Sequence, residues 1–313
     1  MTKLIVSINL NCMDKYVLVT GGAGGIGLAV TERLAQSGYR VFCADLKTYA
    51  GRYPIITATG DGQPDGSAMP AATAVAKGGA VLDGGGVIPL IVDVTKNASV
   101  TEAVAVIKQY TDALLAVVNN AGIFIMDSVA EIDEEAFRKI LDVNLLGMFR
   151  VNKACMPLLK GGYSRVINIS SEVAQYSSPP FNGPYVISKY AVEAYSDALR
   201  RELSLLGIPV VKIRPGALKT DMIAATQKNF DALIKNTQYF SASLGAMNEM
   251  MAHELNKTNS PDLLAKLVQK IIEAKKPKTV YRIVNSKKLK FMGMLPEGWQ
   301  DKLYKAVVGG KKK

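Results

Sequence analysis

The sequence predicts an α/β chain built on one doubly wound parallel sheet with helices on both faces. Three observations predict it. Runs rich in Val, Ile and Leu alternate with helix-like stretches through most of the chain, as strands buried on both faces require. A glycine cluster, "TGGAGGIG" at 20–27, stands where the first run gives way to the first helix. An acid, Asp45, closes the second run.

The elements follow in order. "YVLVT" (16–20) reads as a strand and 25–37 as a helix. "RVFCAD" (40–45) and "VIPLIVDV" (87–94) read as the second and third strands. Residues 98–110 are helical, and "LLAVVNN" (114–120) is a strand. A single long helix spans 134–160, followed by "SRVINISS" (164–171) as a strand, a helix over 184–205 and "IPVVKIRPG" (208–216) as a strand. A helix-rich stretch follows, with a last strand near 279–284. Between the second and third strands, residues 46–86 break the rhythm. The stretch 50–86 alone holds nine glycines and three prolines and reads as a loop-rich insertion.

The chain has 313 residues, and 49% are apolar, enough for a substantial core. The three cysteines, Cys12, Cys43 and Cys155, are far apart and form no CxxC pair, which argues against a disulfide framework and for a reducing compartment. The single histidine, His253, leaves too few ligands for a His-held metal centre, and no glycine-serine nucleophile elbow is present, so no metal is expected. No apolar run is long enough to span a membrane, and the N-terminal stretch lacks a secretory pattern. A cytoplasmic chain is the expectation. Twelve basic residues face two acids in 275–313, so ten of the eleven net positive charges lie in the last 39 residues. The near-neutral body argues against a nucleic-acid groove.

Gly21, Gly25 and Gly27 sit between a strand and a helix. Side chains there would stop the backbone approaching a pyrophosphate, and the helix start, with Ile26, offers N–H groups to an anion. Asp45, 18 residues beyond Gly27, can accept hydrogen bonds from a ribose diol and would repel a 2′-phosphate. NAD is the favoured cofactor; Arg40 and Lys47 keep NADP open.

Tyr185 and Lys189 lie four apart in "YVISK", so a helix places them about 6 Å apart on one face. The same helix carries apolar positions at Ile187, Ala191, Ala194 and Ala198. A phenol with a usual pKa near 10 becomes a usable base only where a nearby cation favours its ionised form. Asn144 falls on the apolar stripe of the 134–160 helix, marked by Phe137, Ile140, Leu141, Met148, Val151 and Cys155. An amide there is either a satisfied core group or part of a site.

Taken in order, "TGGAGGIG" (20–27), "DVT" (93–95), "NNAG" (119–122), Asn144 in "DVNLLG", "NISS" (168–171), "YVISK" (185–189) and "PGALKT" (215–220) resemble the short-chain dehydrogenase/reductase family across 16–220. The pattern is most similar to its retinol, hydroxysteroid and 3-hydroxybutyrate dehydrogenase branch. The resemblance implies a Rossmann-like single domain and hydride transfer between a nicotinamide cofactor and an alcohol or ketone. It assigns catalysis to Asn144, Ser171, Tyr185 and Lys189. Tyr185 would exchange the proton, and Lys189 would also bond the nicotinamide ribose. Ser171 would hold the substrate oxygen, with Ser170 the alternative, since the spacing to Tyr185 is one residue long. Asn144 would serve a water-mediated relay to Lys189. Cofactor contacts are implied for Gly21, Gly25, Ile26, Gly27, Asp45, Asp93, Val94, Asn120, Gly122, Tyr185, Lys189, Pro215, Gly216 and Thr220. A homodimer or homotetramer through the 134–160 and 184–205 helices is implied as well.

The domain expectation is a catalytic unit over 14–285, with the 46–86 insertion and a substrate-capping region at 217–256, then a basic apolar tail over 286–313. Met222, Met247, Met250, Met251, Phe230, Tyr239, Phe240 and Leu244 suit a hydrophobic steroid- or retinoid-like alcohol or ketone, or else ordinary helix packing. The tail mixes Lys with Phe, Met, Leu, Trp299 and Tyr304, which suits peripheral membrane contact, interrupted by Pro296 and Gly298. Two alternatives remain: an NADPH-dependent carbonyl reductase of the same fold, and a cofactor-sensing protein without turnover.

Overall fold

In the computed structural model, which describes residues 15–51, 85–176, 178–255, 258–283 and 286–309, seven parallel strands form one sheet. The order is β3-β2-β1-β4-β5-β6-β7, with β1 Tyr16–Thr20, β2 Arg40–Asp45, β3 Gly86–Ile91, β4 Ala116–Asn119, β5 Arg165–Ile169, β6 Val210–Pro215 and β7 Val280–Ile283. The strand order reverses between β1 and β4, and there the carboxyl ends open a crevice.

Period-two geometry sorts β1 between two cores. Val17 and Val19 join one cluster with Val30 and Leu34 of α1 (Gly25–Gln36) and Leu264, Val268 and Ile271 of α8 (Asp262–Glu273). Tyr16 and Leu18 join the other. Its partners are Val104 and Ile107 of α2 (Asn97–Tyr110), Val151 and Cys155 of α4 (Met148–Cys155), and Leu203 of α5 (Gly183–Ser204). Most of the expected elements are present within a few residues of their predicted bounds.

The long helix expected over 134–160 is divided. It runs as α3 (Glu134–Leu141), a π-helical turn (Asp142–Gly147), α4, and a 3-10 turn (Met156–Leu158). Asn144 lies in the π turn, where the ladder is wound with a wider loop. Asp133 caps α3, accepting from the Glu135 and Ala136 N–H groups.

The α5 face also differs from expectation. Ile187 and Tyr190 are exposed, as are Ala194 and Ala198. The inward face carries Ser188, Lys189, Glu193 and Ser196 beside Val186 and Val192. Those polar groups tolerate burial because each has a partner. Ser188 Oγ donates to the Tyr185 carbonyl, Lys189 Nζ to the Ile169 carbonyl and Ser196 Oγ to the Val192 carbonyl.

Of the 46–86 insertion, 52–84 lies outside the described residues; Tyr49 before it is buried in the α1 face of the core, and Gly86 opens β3. Beyond the sheet, α6 (Asp221–Asn236), α7 (Ser241–Leu255), α9 (Lys287–Met292) and α10 (Glu297–Val308) form the capping and tail region. A third apolar cluster, with Met126, Phe230, Leu233, Leu244, Met247 and Val308, ties α10 to α6 and α7. No helix among the described residues is long and apolar enough to cross a membrane.

Candidate active site

A cleft of about 1290 Å³ opens at the carboxyl ends of the strands. Every residue expected to touch the cofactor lines it except Gly27, which lies behind the loop. Gly21 and Gly25 adopt φ of +63° and +51°, the left-handed region that glycine enters freely. A Cβ at Gly27 would strike the Gly21 carbonyl oxygen and stand 2.7 Å from Asn120 Nδ2. The loop therefore packs backbone against backbone. Helix α1 starts at Gly25, with no side-chain cap from Gly24 before it and no acid in its first turn. Its free N–H groups and positive end face the cleft, which fits a dinucleotide's pyrophosphate.

Side chains around this loop hold it rather than fill it. Thr20 Oγ1 accepts from the Asn120 and Ala121 N–H groups, while Asn120 Nδ2 donates to the carbonyls of Thr20 and Gly21. Asp45 accepts from the Ala23 N–H at 3.0 Å and the Lys47 N–H at 3.1 Å, which fixes its carboxylate beside the glycine loop. Asp93 accepts from both the N–H and hydroxyl of Thr95. Across the cleft, Thr220 at the start of α6 comes within 3.3 Å of the Cβ position of Gly25, so β6 and its loop close over the glycines.

The catalytic wall is built from side chains. Ser171, Tyr185 and Lys189 all line the cleft, beside Pro215 and Gly216. The Lys189 ammonium stands 5.7 Å from the centre of the Tyr185 ring. Burial pushes the Tyr185 phenol up to about 12, and a hydrogen bond with Ser171 pulls it the other way. Burial also lowers Lys189 to about 8, with the Glu193 carboxylate opposing that shift. The sequence reading expects a phenol acidified by its lysine. In the structure the phenol is raised instead, because burial disfavours its ionised form. Phe124 meets the Tyr185 ring edge-on at 4.9 Å between centroids.

Ser171 is the serine bonded to Tyr185; Ser170, the alternative, is buried beside it in the cleft lining. Asn144 lies behind the cleft surface. Its Oδ1 accepts from the Ile123 N–H, and its Nδ2 donates to the Ile123 carbonyl and to Ser188 Oγ. The side chain is thus a satisfied core amide that pins the π turn to α5. Gly122 leaves the room this needs, since a Cβ there would come within 3.2 Å of Asn144 Oδ1.

Two networks escaped the sequence reading. Asn119 Nδ2 donates to Asn152 and Asn168, and Asn168 Nδ2 donates to Ser196, joining β4, α4, β5 and α5 inside the core. The signal was present: asparagines end the apolar runs "AVVN" and interrupt "RVINI". The second is ionic. Glu193 accepts from Arg214 Nε at 2.9 Å and Nη2 at 2.7 Å, and pairs with Lys212 at 2.8 Å. Burial would raise the Glu193 carboxyl, yet these bonds hold it at about 2. Arg214 also donates to Gln175, just after the Ser171 loop.

The apolar residues expected to line a substrate loop divide. Phe230, Leu244 and Met247 are buried in the third cluster, and Phe240 packs against it, while Tyr239 is exposed. Met222, Met250 and Met251 lie outside the described side chains. The apolar surface facing the cleft comes instead from Ile123, Phe124, Leu141, Leu146, Val173 and Leu218.

A model of the family described as short chain dehydrogenase matches residues 65–231, which hold the catalytic wall but begin after the glycine loop. Retinol dehydrogenase 7 of Mus musculus is 36% identical over 211 residues, 67% of this chain and 58% of that protein. Retinol dehydrogenase 16 of Mus musculus is 35% identical over 228 residues, 72% of this chain and 62% of that protein. The match therefore spans about three fifths of these relatives' own length. With 17-beta-hydroxysteroid dehydrogenase type 6 of Homo sapiens the identity is 30% over 283 residues, 86% of this chain and 80% of that protein. A short-chain dehydrogenase from Streptomyces avermitilis shares the fold, with a TM-score of 0.66 at 19% identity over 95% of this chain and 96% of that one. So does an actinorhodin polyketide ketoreductase solved with NADPH, with a TM-score of 0.62 at 22% identity over 87% and 95%.

Proposed function

Because this chain belongs to the short-chain dehydrogenase family, we propose that it catalyses reversible NAD-dependent oxidation of a lipophilic alcohol, secondary or primary, of steroid- or retinoid-like character. The observation that carries this reading is the meeting of Ser171, Tyr185 and Lys189 on one wall of a cleft whose other wall is the glycine loop.

When bound, NAD supplies the hydride acceptor and, in its oxidised form, a positive charge near the phenol. Gly21, Gly25 and Ile26 hold its pyrophosphate, Asp45 its adenosine ribose, and Asp93, Val94, Asn120 and Gly122 line its adenine side. Pro215, Gly216 and Thr220 enclose the nicotinamide end. The ionised Tyr185 oxygen takes the proton of the substrate hydroxyl as the carbinol C–H bond breaks, and a carbonyl remains. In reverse the neutral phenol returns that proton. Ser171 donates a hydrogen bond to the substrate oxygen. Lys189, as an ammonium, favours the ionised phenol and bonds the nicotinamide ribose. The Asn144 side chain is occupied, so its contribution is to hold the π turn, whose main chain leads the relay toward Lys189.

NAD is preferred because the Asp45 carboxylate lines the cleft beside the glycine loop, where it would accept from a ribose diol, while Arg40 is drawn away. Arg40 opens β2, roughly 16 Å from Asp45 along the strand, and donates to the Tyr16 hydroxyl. Lys47 lines the cleft and favours the rival reading, an NADPH-dependent carbonyl reductase. The lipophilic substrate is supported by the Phe124, Leu141, Leu146 and Leu218 lining and by the names of the relatives. A homodimer or homotetramer is supported by the exposed Leu146 and Phe149 near the π turn and Ile187 and Tyr190 on α5. Residues 14–285 form the catalytic domain, 286–313 the tail. Buried thiols at Cys43 and Cys155 suit a reducing, cytoplasmic or membrane-surface location.

The test is a panel of retinoid, steroid and short hydroxy-acid alcohols, with reduced nicotinamide absorbance followed in NAD and NADP. The reading expects turnover of a lipophilic alcohol with NAD. Turnover confined to short hydroxy acids would refute the substrate class, NADP alone the cofactor, and cofactor binding without turnover the enzyme itself.

A further inference from the structure

The geometry points to α10 as a docking surface for a lipid bilayer bearing anionic headgroups, with the helix lying flat on it. Trp299, Leu303 and Val307 recur every fourth residue and are 64%, 39% and 55% exposed. They form one stripe along a helix whose neighbouring row, Gln300, Tyr304 and Val308, turns into the protein. Val308 packs in the cluster with Phe230, Leu244 and Met247. Gln300 Nε2 donates to the Leu295 carbonyl. The helix is therefore anchored from within, and its apolar stripe still faces outward. Phe291 and Met294, just before it, are 58% and 70% exposed.

Charge selects the occupant. Lys287, Lys288, Lys290, Lys302 and Lys305 are exposed around these residues, against Glu297 and Asp301. A second copy of this chain would bring the same excess of positive charge to the contact. An anionic bilayer surface complements it: apolar side chains enter the acyl boundary and lysine stems reach back to the headgroups. At 12 residues α10 is too short to span, so it lies in the interface.

The placement bears on the cleft. The cluster that holds Val308 includes Phe124 at its edge, and Phe124 touches Tyr185. If the lipophilic-alcohol reading holds, on which this consequence alone rests, docking would hold the bilayer that carries the substrate one apolar cluster away from the wall beside the phenol. Docking itself is read without substrate, so the two readings fail separately.

Trp299 is the chain's single tryptophan, so its emission reports the contact directly. The full-length chain is mixed with phosphatidylcholine vesicles, with and without about 30% phosphatidylserine, and followed by fluorescence and flotation. The expected result is a blue shift of Trp299 emission and about tenfold more floated chain with the anionic vesicles, released by high salt. Leu303→Ser with Val307→Ser, and separately Lys302→Glu with Lys305→Glu, should each lower flotation about tenfold. Their thermal midpoints should stay at the parent value, because all four positions are exposed. Unshifted emission, equal binding to neutral and anionic vesicles, or variants that float like the parent would each overturn the inference. So would a dimer that the Leu303→Ser, Val307→Ser pair dissolves, since the stripe would then serve a second copy.

Discussion

At the glycine loop, Gly27 has no room for one further carbon, and the surrounding groups are mostly backbone held in place by Thr20 and Asn120. Across the same cleft, Tyr185 and Lys189 have side chains of ordinary size whose behaviour depends on charge. One wall is specified by shape and fails by steric collision. The other is specified by desolvation against a few ionic partners and fails by losing a proton at the wrong pH. A single cleft therefore carries two kinds of vulnerability, and substitutions should separate them.

The largest effect is expected at Lys189. Lys189→Met removes the cation that favours the ionised phenol, and kcat should fall by about 10³-fold, read by steady-state nicotinamide absorbance. Thermal stability should hold or rise, because a desolvated charge is replaced by an apolar stem of similar shape. A variant of near-parental kcat would break the comparison on the catalytic side.

Gly27→Ala tests the shape-determined wall. The added carbon meets the Gly21 carbonyl, and overpacking of this kind costs about 1–3 kcal/mol. NAD affinity measured by calorimetry should fall about 100-fold, with the pH profile of the residual activity unchanged. A changed profile at unchanged affinity would show that the two walls are not independent.

Acid should act on the catalytic side through Glu193. Its folded pKa, about 2, lies below the usual carboxylate value. The stability it contributes is therefore fully present above about pH 4.5 and lost as pH falls toward 2. That contribution is about 3 kcal/mol. Denaturant titrations across that range should show the loss, and Glu193→Gln should flatten it.

Lys189 sharpens the contrast further. Its value is lowered to about 8, so the ammonium is present below that pH and lost above it. Carbonyl reduction should be level below about pH 8 and decline beyond. Glu193 opposes the lowering, so Glu193→Gln should move the decline to lower pH. A limb that stays in place would remove Glu193 from the electrostatics of the site. The smallest effect is expected at Asp45: Asp45→Ser should shift the NAD to NADP preference by about tenfold toward NADP.

These contrasts also explain what could be read in the sequence. The glycine wall was legible because its cause is local: a strand, three glycines, a helix start and one acid 18 residues on. The parallel sheet was legible from continuous apolar runs. The π turn was not, because the apolar stripe runs through Ile140, Met148 and Val151 whether the ladder closes over four residues or five. The inward face of α5 was misread for a related reason. Its apolar residues Ile187 and Ala194 face outward, while Glu193 turns in toward Lys212 and Arg214 on β6, partners that no periodicity within the helix reveals. The phenol's raised pKa comes from burial that only the fold creates, including the approach of Phe124, 61 residues away in sequence, to its ring.

Tyr185→Phe tests the central claim most directly, because it deletes one hydroxyl from the catalytic wall and leaves the glycine wall untouched. Calorimetry with NAD and nicotinamide absorbance with the best alcohol of the panel are read on the same preparation. The account predicts parental NAD affinity with turnover lowered by at least about 10²-fold at every pH. Turnover within a few-fold of the parent would contradict it.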